Sequence, residues 1–157
     1  MTSSARGLPE GYHSVTPYLA VDDGAGAIAF YKEAFGATEV MRMPGPNGKV
    51  GHAEIQIGDS RIMLADEYAD MGFRSPKAYG GSPVGLHLYV EDVDAVARQA
   101  LAAGAKELRP VKDQFYGDRT GSFEDPFGHV WHIATRKEDL SPDELKRRAE
   151  QAMQQGG

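Results

Sequence analysis

Tyr18-Leu19-Ala20-Val21-Asp22-Asp23 is answered 69 residues later by His87-Leu88-Tyr89-Val90-Glu91-Asp92. A second match follows each. Phe35-Gly36-Ala37-Thr38-Glu39-Val40 resembles Ala103-Gly104-Ala105-Lys106-Glu107-Leu108 at an offset of 68. Two matches nearly in register within one chain mark an internal duplication, and 157 residues hold only two copies of such a unit.

Each copy opens with a β run, Val15 to Val21 and Leu86 to Val90, rich in branched and aromatic residues. Asp23 and Asp92 stand where helix N-caps belong. Ile28, Tyr31, Ala34 and Phe35 in the first copy, and Val93, Val96, Ala97, Ala100 and Leu101 in the second, follow helical spacing. Gly36 and Gly104 then suit left-handed C-caps. Three strands are predicted after each helix: about 38–43, 50–57 and 61–67, then about 106–111, 119–124 and 129–135. The turn residues Pro44 to Gly48, Gly58 to Ser60 and Asp125 to Gly128 separate them.

The fold class expected is therefore α+β: two tandem βαβββ modules whose curved mixed sheets form a cup, plus a C-terminal helix. The organisation expected is a flexible leader over 1–11, one domain over 12–137 and a helix and tail over 138–157. The modules span about 12–67 and 84–137, with 68–83 as linker and potential lid. Ser141-Pro142-Asp143-Glu144 reads as a capping box opening a helix that runs to about Gln154. Its thin stripe of Leu145, Ala149, Ala152 and Met153 packs on the domain or on a second subunit. The cluster Lys146, Arg147 and Arg148 reads as cations near that helix's C-terminal end.

Composition narrows the chemistry. The net charge is −6 with no basic stripe, which argues against nucleic acid. No apolar run approaches the ~20 residues of a membrane span. There is no cysteine, which removes thiolate nucleophiles and thiolate metal sites and fits a cytoplasmic location. Phosphate-binding glycine loops and nucleophile elbows are absent from the sequence.

Val15-Thr16-Pro17-Tyr18-Leu19-Ala20-Val21, Ala29-Phe30-Tyr31, His52-Ala53-Glu54-Ile55, Leu64-Ala65-Asp66-Glu67, Asp113 to Arg119 and Asp125-Pro126-Phe127-Gly128 together resemble the vicinal oxygen chelate superfamily, in its PhnB-like branch. That superfamily includes glyoxalase I, bleomycin resistance proteins and extradiol dioxygenases. The resemblance implies a homodimer, a small-molecule ligand and a divalent metal held by the first and last strands of each module. Strand alternation puts those positions at Thr16, Leu64, Gly85 and His132, and only His132 is a good ligand. A displaced site using His52, His87 and His132 with Glu54 would suit zinc, nickel, manganese or ferrous iron. The alternative is that His52 and Glu54 form a hydrogen-bonded polar strand face.

Thr16, Tyr18, Tyr89, Tyr116 and Arg119 are the candidate ligand-binding residues. Arg119 either clamps an anionic group in its planar fork or bridges to Asp118 or Asp125. Trp131 is expected in the core, and His129 exposed after its turn glycine. Two functions stay open. One is a binder with a degenerate metal site. The other is a metal-dependent lyase or isomerase in which Glu54 moves a proton.

Overall fold

The computed structural model describes residues 7–156. Most of the expected leader, residues 1–6, lies outside the described residues, as does residue 157. The described chain divides after Gly81 into two compact units.

The first unit contains β1 (Tyr18–Val21), α1 (Gly24–Phe35), β2 (Thr38–Pro44), β3 (Val50–Ile57), β4 (Ser60–Asp66) and the short α2 (Pro76–Tyr79). The second contains β5 (Gly85–Tyr89), α3 (Val93–Ala103), β6 (Lys106–Asp113), β7 (Asp118–Glu124), β8 (Val130–Arg136) and α4 (Pro142–Gly156). Each module is a four-stranded mixed sheet, in the orders β1-β4-β3-β2 and β5-β8-β7-β6. First and last strands pair in parallel, and the other neighbours are antiparallel. The expected βαβββ duplication is thus the architecture found.

The helices begin and end where the sequence places their caps. Asp23 Oδ1 accepts from the Gly26 N–H at 3.0 Å, and Asp92 Oδ1 from the Ala95 N–H at 3.2 Å. Gly36 closes α1 with φ 69°, a conformation that costs glycine nothing.

Each sheet has one buried and one open face. On the buried face of the first, Leu19, Ala53, Ile55, Ile62 and Leu64 lie with Ala27, Ile28, Phe30, Tyr31 and Ala34 of α1 in the core. The second core contains Phe123, Trp131 and Ile133 with Val93, Ala97 and Ala100 of α3. Buried carboxylates tie loops to these cores. Asp66 accepts from the backbone N–H groups of Gly24 and Val50 at 2.8 and 2.7 Å. Asp125 accepts from those of Phe127 and His129 and from the Trp131 indole, at 2.9, 3.0 and 2.9 Å.

The register corrects one expectation. Alternation puts the ligand position of each module's last strand at Leu64 and His132, but the pairings Tyr18↔Met63 and His87↔His132 make Met63 the counterpart of His132. Leu64 corresponds to Ile133, and both are fully buried. The deletion between the two helices is made good before the last strand, so the offset returns to 69, and a slip of one residue exchanges the faces.

Four further differences have local causes. β1 begins at Tyr18 rather than Val15, leaving Thr16 ahead of the sheet. The segment 68–83 is structured: Tyr68 bridges to Phe73, a 3-10 turn covers Ala69–Met71, and α2 follows. It is tied to the first module because Glu67 accepts hydrogen bonds from the Ser75 backbone N–H and hydroxyl. His129 is buried, not exposed, because the Asp125 carboxylate draws the tight turn inward. In α4 the basic cluster sits mid-helix. Glu144 and Glu138 hold Arg148, Glu144 also holds Arg147, and Met153 remains 79% exposed.

This register predicts unequal costs for neighbouring truncations. Leu64→Ala should destabilise by about 3 kcal/mol, as expected for a filled core site. Met63→Ala, on the open face, should cost less than about 1.5 kcal/mol. Urea unfolding of both variants checks it, and a reversed order would refute the register.

Candidate functional site

One transverse row of side chains organises each open face. In the first module it runs Met41–Glu54–Met63–Tyr18 across β2, β3, β4 and β1. In the second it runs Arg109–Ser122–His132–His87 across β6, β7, β8 and β5. Even the register irregularity before Met41 has its twin before Arg109. The backbone is repeated, and the chemistry mounted on it differs.

In the first module the polar groups satisfy one another. The Tyr12 hydroxyl donates to Glu54 Oε1, and Glu54 Oε2 lies 2.8 Å from His52 Nε2. The Tyr18 hydroxyl lies 2.7 Å from His52 Nδ1. The Tyr12 and His52 hydrogen bonds hold the Glu54 carboxyl below its ordinary value, so it only accepts. His52 Nε2 therefore carries the proton it shares with Glu54, and Nδ1 is partnered by the Tyr18 hydroxyl. Burial, with the Glu54 hydrogen bond and charge beside it, pushes the Tyr12 phenol up to about 12. Tyr18 is raised as well, by burial first and then by Glu54. The hydrogen-bonded polar face is thus the arrangement found for His52 and Glu54.

Beside this network lies a cleft of about 770 Å³. Tyr18, Tyr68, Met71 and Phe73 contribute its apolar wall, so residues of the 68–83 segment do border a cavity. The Tyr18 and Phe73 rings meet edge to face at 5.5 Å.

The second module's open face holds a cleft of about 470 Å³, lined by His87, Arg109, Pro110, Lys112, Gln114, Tyr116, Thr120, Gly121, Ser122 and His132. The ring centroids of His87 and His132 are 6.2 Å apart. His132 Nδ1 lies 2.7 Å from the Ser122 hydroxyl. Burial, then the adjacent His87 and Arg109, lower the His132 pKa. Gly85 is required beside it, because a Cβ there would lie 2.6 Å from His132 Nε2. Burial, followed by the charge of Asp118, raises the Tyr116 phenol.

Tyr89 lies on the same face next to His87, with ring centroids 4.8 Å apart. Its hydroxyl donates to Asp118 Oδ2 at 2.9 Å, while Arg136 holds Oδ1 at 2.8 Å. Arg119 is placed differently from the expected clamp. It lies on the helix-bearing side of β7, where Asp94 takes its fork at 2.9 and 3.0 Å and Asp113 accepts at 3.3 Å. Neither Asp118 nor Asp125, the two bridge partners expected for it, is the partner found. Thr16 lines neither cleft.

Among the described residues, no three His, Asp or Glu side chains gather closely enough to hold a metal ion. The second module's row offers two imidazoles and no carboxylate. In the first, Glu54 and His52 already occupy each other. These residues do not fit the superfamily's metal.

Sequence reasoning missed Tyr12, Arg109 and Lys112. Tyr12 lies at the border of the expected leader, where no periodicity marks it. For the other two a signal existed: Pro110 stands inside a predicted strand, which points to an edge strand with broken alternation. β6 is indeed the edge of its sheet.

The hydrogen-bonded network makes a titration prediction. One tyrosine should ionise near 12, about two units above the ordinary 10. Glu54→Gln should bring it part of the way back, since burial persists while the charge is lost. Tyrosine ring-carbon NMR against pH reads this, and an unmoved Tyr12 would refute the contact.

Comparison with known proteins agrees with the architecture. The model of the Glyoxalase/Bleomycin resistance protein/Dioxygenase superfamily matches residues 11–133. Protein Rv0887c of Mycobacterium tuberculosis is 44% identical over 136 residues, covering 85% of this chain and 80% of its own. The crystallised gene product At5g48480 of Arabidopsis thaliana superposes with TM-score 0.62 at 27% identity, covering 78% of this chain and 98% of that one. A PhnB protein from Bacillus cereus shares the fold at TM-score 0.62 and 21% identity, over 78% of this chain and 99% of that one. No helix among the described residues is long and apolar enough to cross a membrane. The duplicated βαβββ frame and the match along most of its length lead to one conclusion: the chain belongs to the Glyoxalase/Bleomycin resistance protein/Dioxygenase superfamily.

Proposed function

We propose that this protein is a small-molecule binder of the glyoxalase and bleomycin-resistance type, whose ligand rests on the open face of a module's sheet. The observation that carries this reading is the second module's cleft. Its volume, about 470 Å³, falls in the range of small-molecule sites. Its lining combines aromatic and imidazole rings with hydroxyl, amide and cationic groups, and rigid strands position most of them.

Binding here needs no bond-making step. Tyr116 and Pro110 supply apolar contact, and Ser122 and Gln114 supply directional hydrogen bonds, while the Thr120 hydroxyl is spent on the Ile133 carbonyl at 2.8 Å. Hydrogen bonds hold the polar groups around the cleft before a ligand arrives: Ser122 to His132, and Tyr89 to Asp118. Such preorganisation lowers the entropic cost of binding.

The competing lyase or isomerase reading needs a metal centre, and this chain's donor set argues against one. Purified protein incubated with zinc, nickel, manganese and ferrous ions, then desalted, should retain well under one equivalent per chain by elemental analysis. In parallel, an NMR screen with a mixed set of small aromatic acids, amines and neutral compounds should shift backbone resonances of the second cleft. One tightly held metal per chain, with no cleft shifts, would overturn the proposal in favour of the metal-dependent reading.

A further inference from the structure

The second cleft is acid-free in an acidic protein. Carboxylates outnumber Lys and Arg by 23 to 17 along the chain. The cleft nevertheless presents Arg109, Lys112, His87 and His132, and neither Asp nor Glu lines it. Among the described residues, Arg109 and Lys112 make no ion pair. Of the other arginines in this unit, Arg119 is paired with Asp94 and Asp113, Arg136 with Asp118 and Asp139, Arg147 with Glu144, and Arg148 with Glu138 and Glu144, whereas Arg98, on α3 away from the cleft, makes no ion pair among the described residues. Asp118 lies on the same sheet face, but it is 2% exposed and both its oxygens are taken, by Tyr89 and Arg136.

The placement of Arg109 and Lys112 at the cleft is built into the backbone. A regular strand would send residues three apart to opposite faces. Here β6 is irregular between Glu107 and Arg109, and again between Arg109 and Lys112. Arg109 is thereby set opposite Ser122 and Lys112 opposite Thr120, and both border one cleft. Gly121 permits this course: a Cβ there would lie 2.8 Å from Val111 Cγ2 and 3.2 Å from the Arg109 carbonyl. Burial first, then the neighbouring His87 and Arg109, disfavours the charged form of His132.

We infer that this cleft recognises a small organic anion, with Arg109 as the fork for a carboxylate or phosphoryl group and Lys112 as a second positive contact. This inference rests on the binding function proposed above and names its ligand class. A planar guanidinium donates two parallel hydrogen bonds to such a group, and Ser122 lies opposite Arg109 on β7. Tyr116 and Pro110 flank the apolar body that carries the anion.

The test titrates the full chain, labelled with 15N, with benzoate, phenyl phosphate and the neutral isostere benzamide at low salt. Saturable shifts at Arg109, Ser122 and His132 are expected from at least one anion, and none from benzamide. The tighter of the two anions separates a carboxylate site from a phosphoryl site. Arg109→Gln should weaken that binding at least tenfold and Lys112→Gln severalfold. Lys106→Gln, the same charge change on β6 outside the cleft, should leave it unaltered. Unchanged spectra away from the cleft confirm that the variants fold. Benzamide binding as tightly as benzoate, or equal effects of Arg109→Gln and Lys106→Gln, would overturn the anion assignment while leaving the cleft a binding site. No saturable shift from any of the three would overturn the assignment, and a silent wider screen would remove the binding function with it.

Discussion

Parallel pairing of the first and last strands in each module is the constraint on which the rest depends. Once Tyr18 lies beside Met63 and His87 beside His132, the side chains of the regularly paired strands are assigned to the helix or to the open face, and irregularities reset the alternation in the edge strands β2 and β6. Side chains alternate with a period of two, so no intermediate arrangement exists. Burial of Leu64 and Ile133 enforces the choice, each contributing about 1.5–3 kcal/mol relative to exposure. The row facing away from the helices is the by-product, and it is this row that carries the chemistry.

The two rows have diverged in how their polar groups are satisfied. Glu54 and His52, with Tyr12 and Tyr18, form a closed chain of hydrogen bonds in which both carboxylate oxygens and both imidazole nitrogens have partners. Such a chain rigidifies the face and leaves little unmet demand for a ligand. In the second module, serine replaces the carboxylate and arginine stands at the position of Met41. There Arg109 and Lys112 make no ion pair among the described residues. Duplication supplied two copies of one scaffold, and the four equivalent positions of the row carry a carboxylate network in one and imidazoles with an arginine in the other.

Arg119 and Arg109 show how closely a site can be approached and still missed. Both lie in the second sheet, and an arginine fork for an anion was a reasonable expectation. Arg119 is consumed because its strand position faces α3, where Asp94 meets it at 2.9 Å. Arg109 stays available because two irregularities in an edge strand turn it toward the cleft. The difference is one of face and neighbour, not of residue type.

The sequence by itself determined the duplication, the βαβββ order, the caps at Asp23, Asp92, Gly36 and Gly104, and the core position of Trp131. These are local or periodic properties, carried by short-range hydrogen bonding and by the spacing of apolar residues. Only the tertiary structure decided that Met63 rather than Leu64 is the counterpart of His132, that His129 is drawn inward, and that Tyr12 reaches Glu54. It also decided which arginine is spent and which is free. Those outcomes depend on strand register, on bulges and on contacts such as the one 42 residues apart between Tyr12 and Glu54. None of them leaves a periodic trace in the chain, because each is settled by which side chains happen to meet across the sheet.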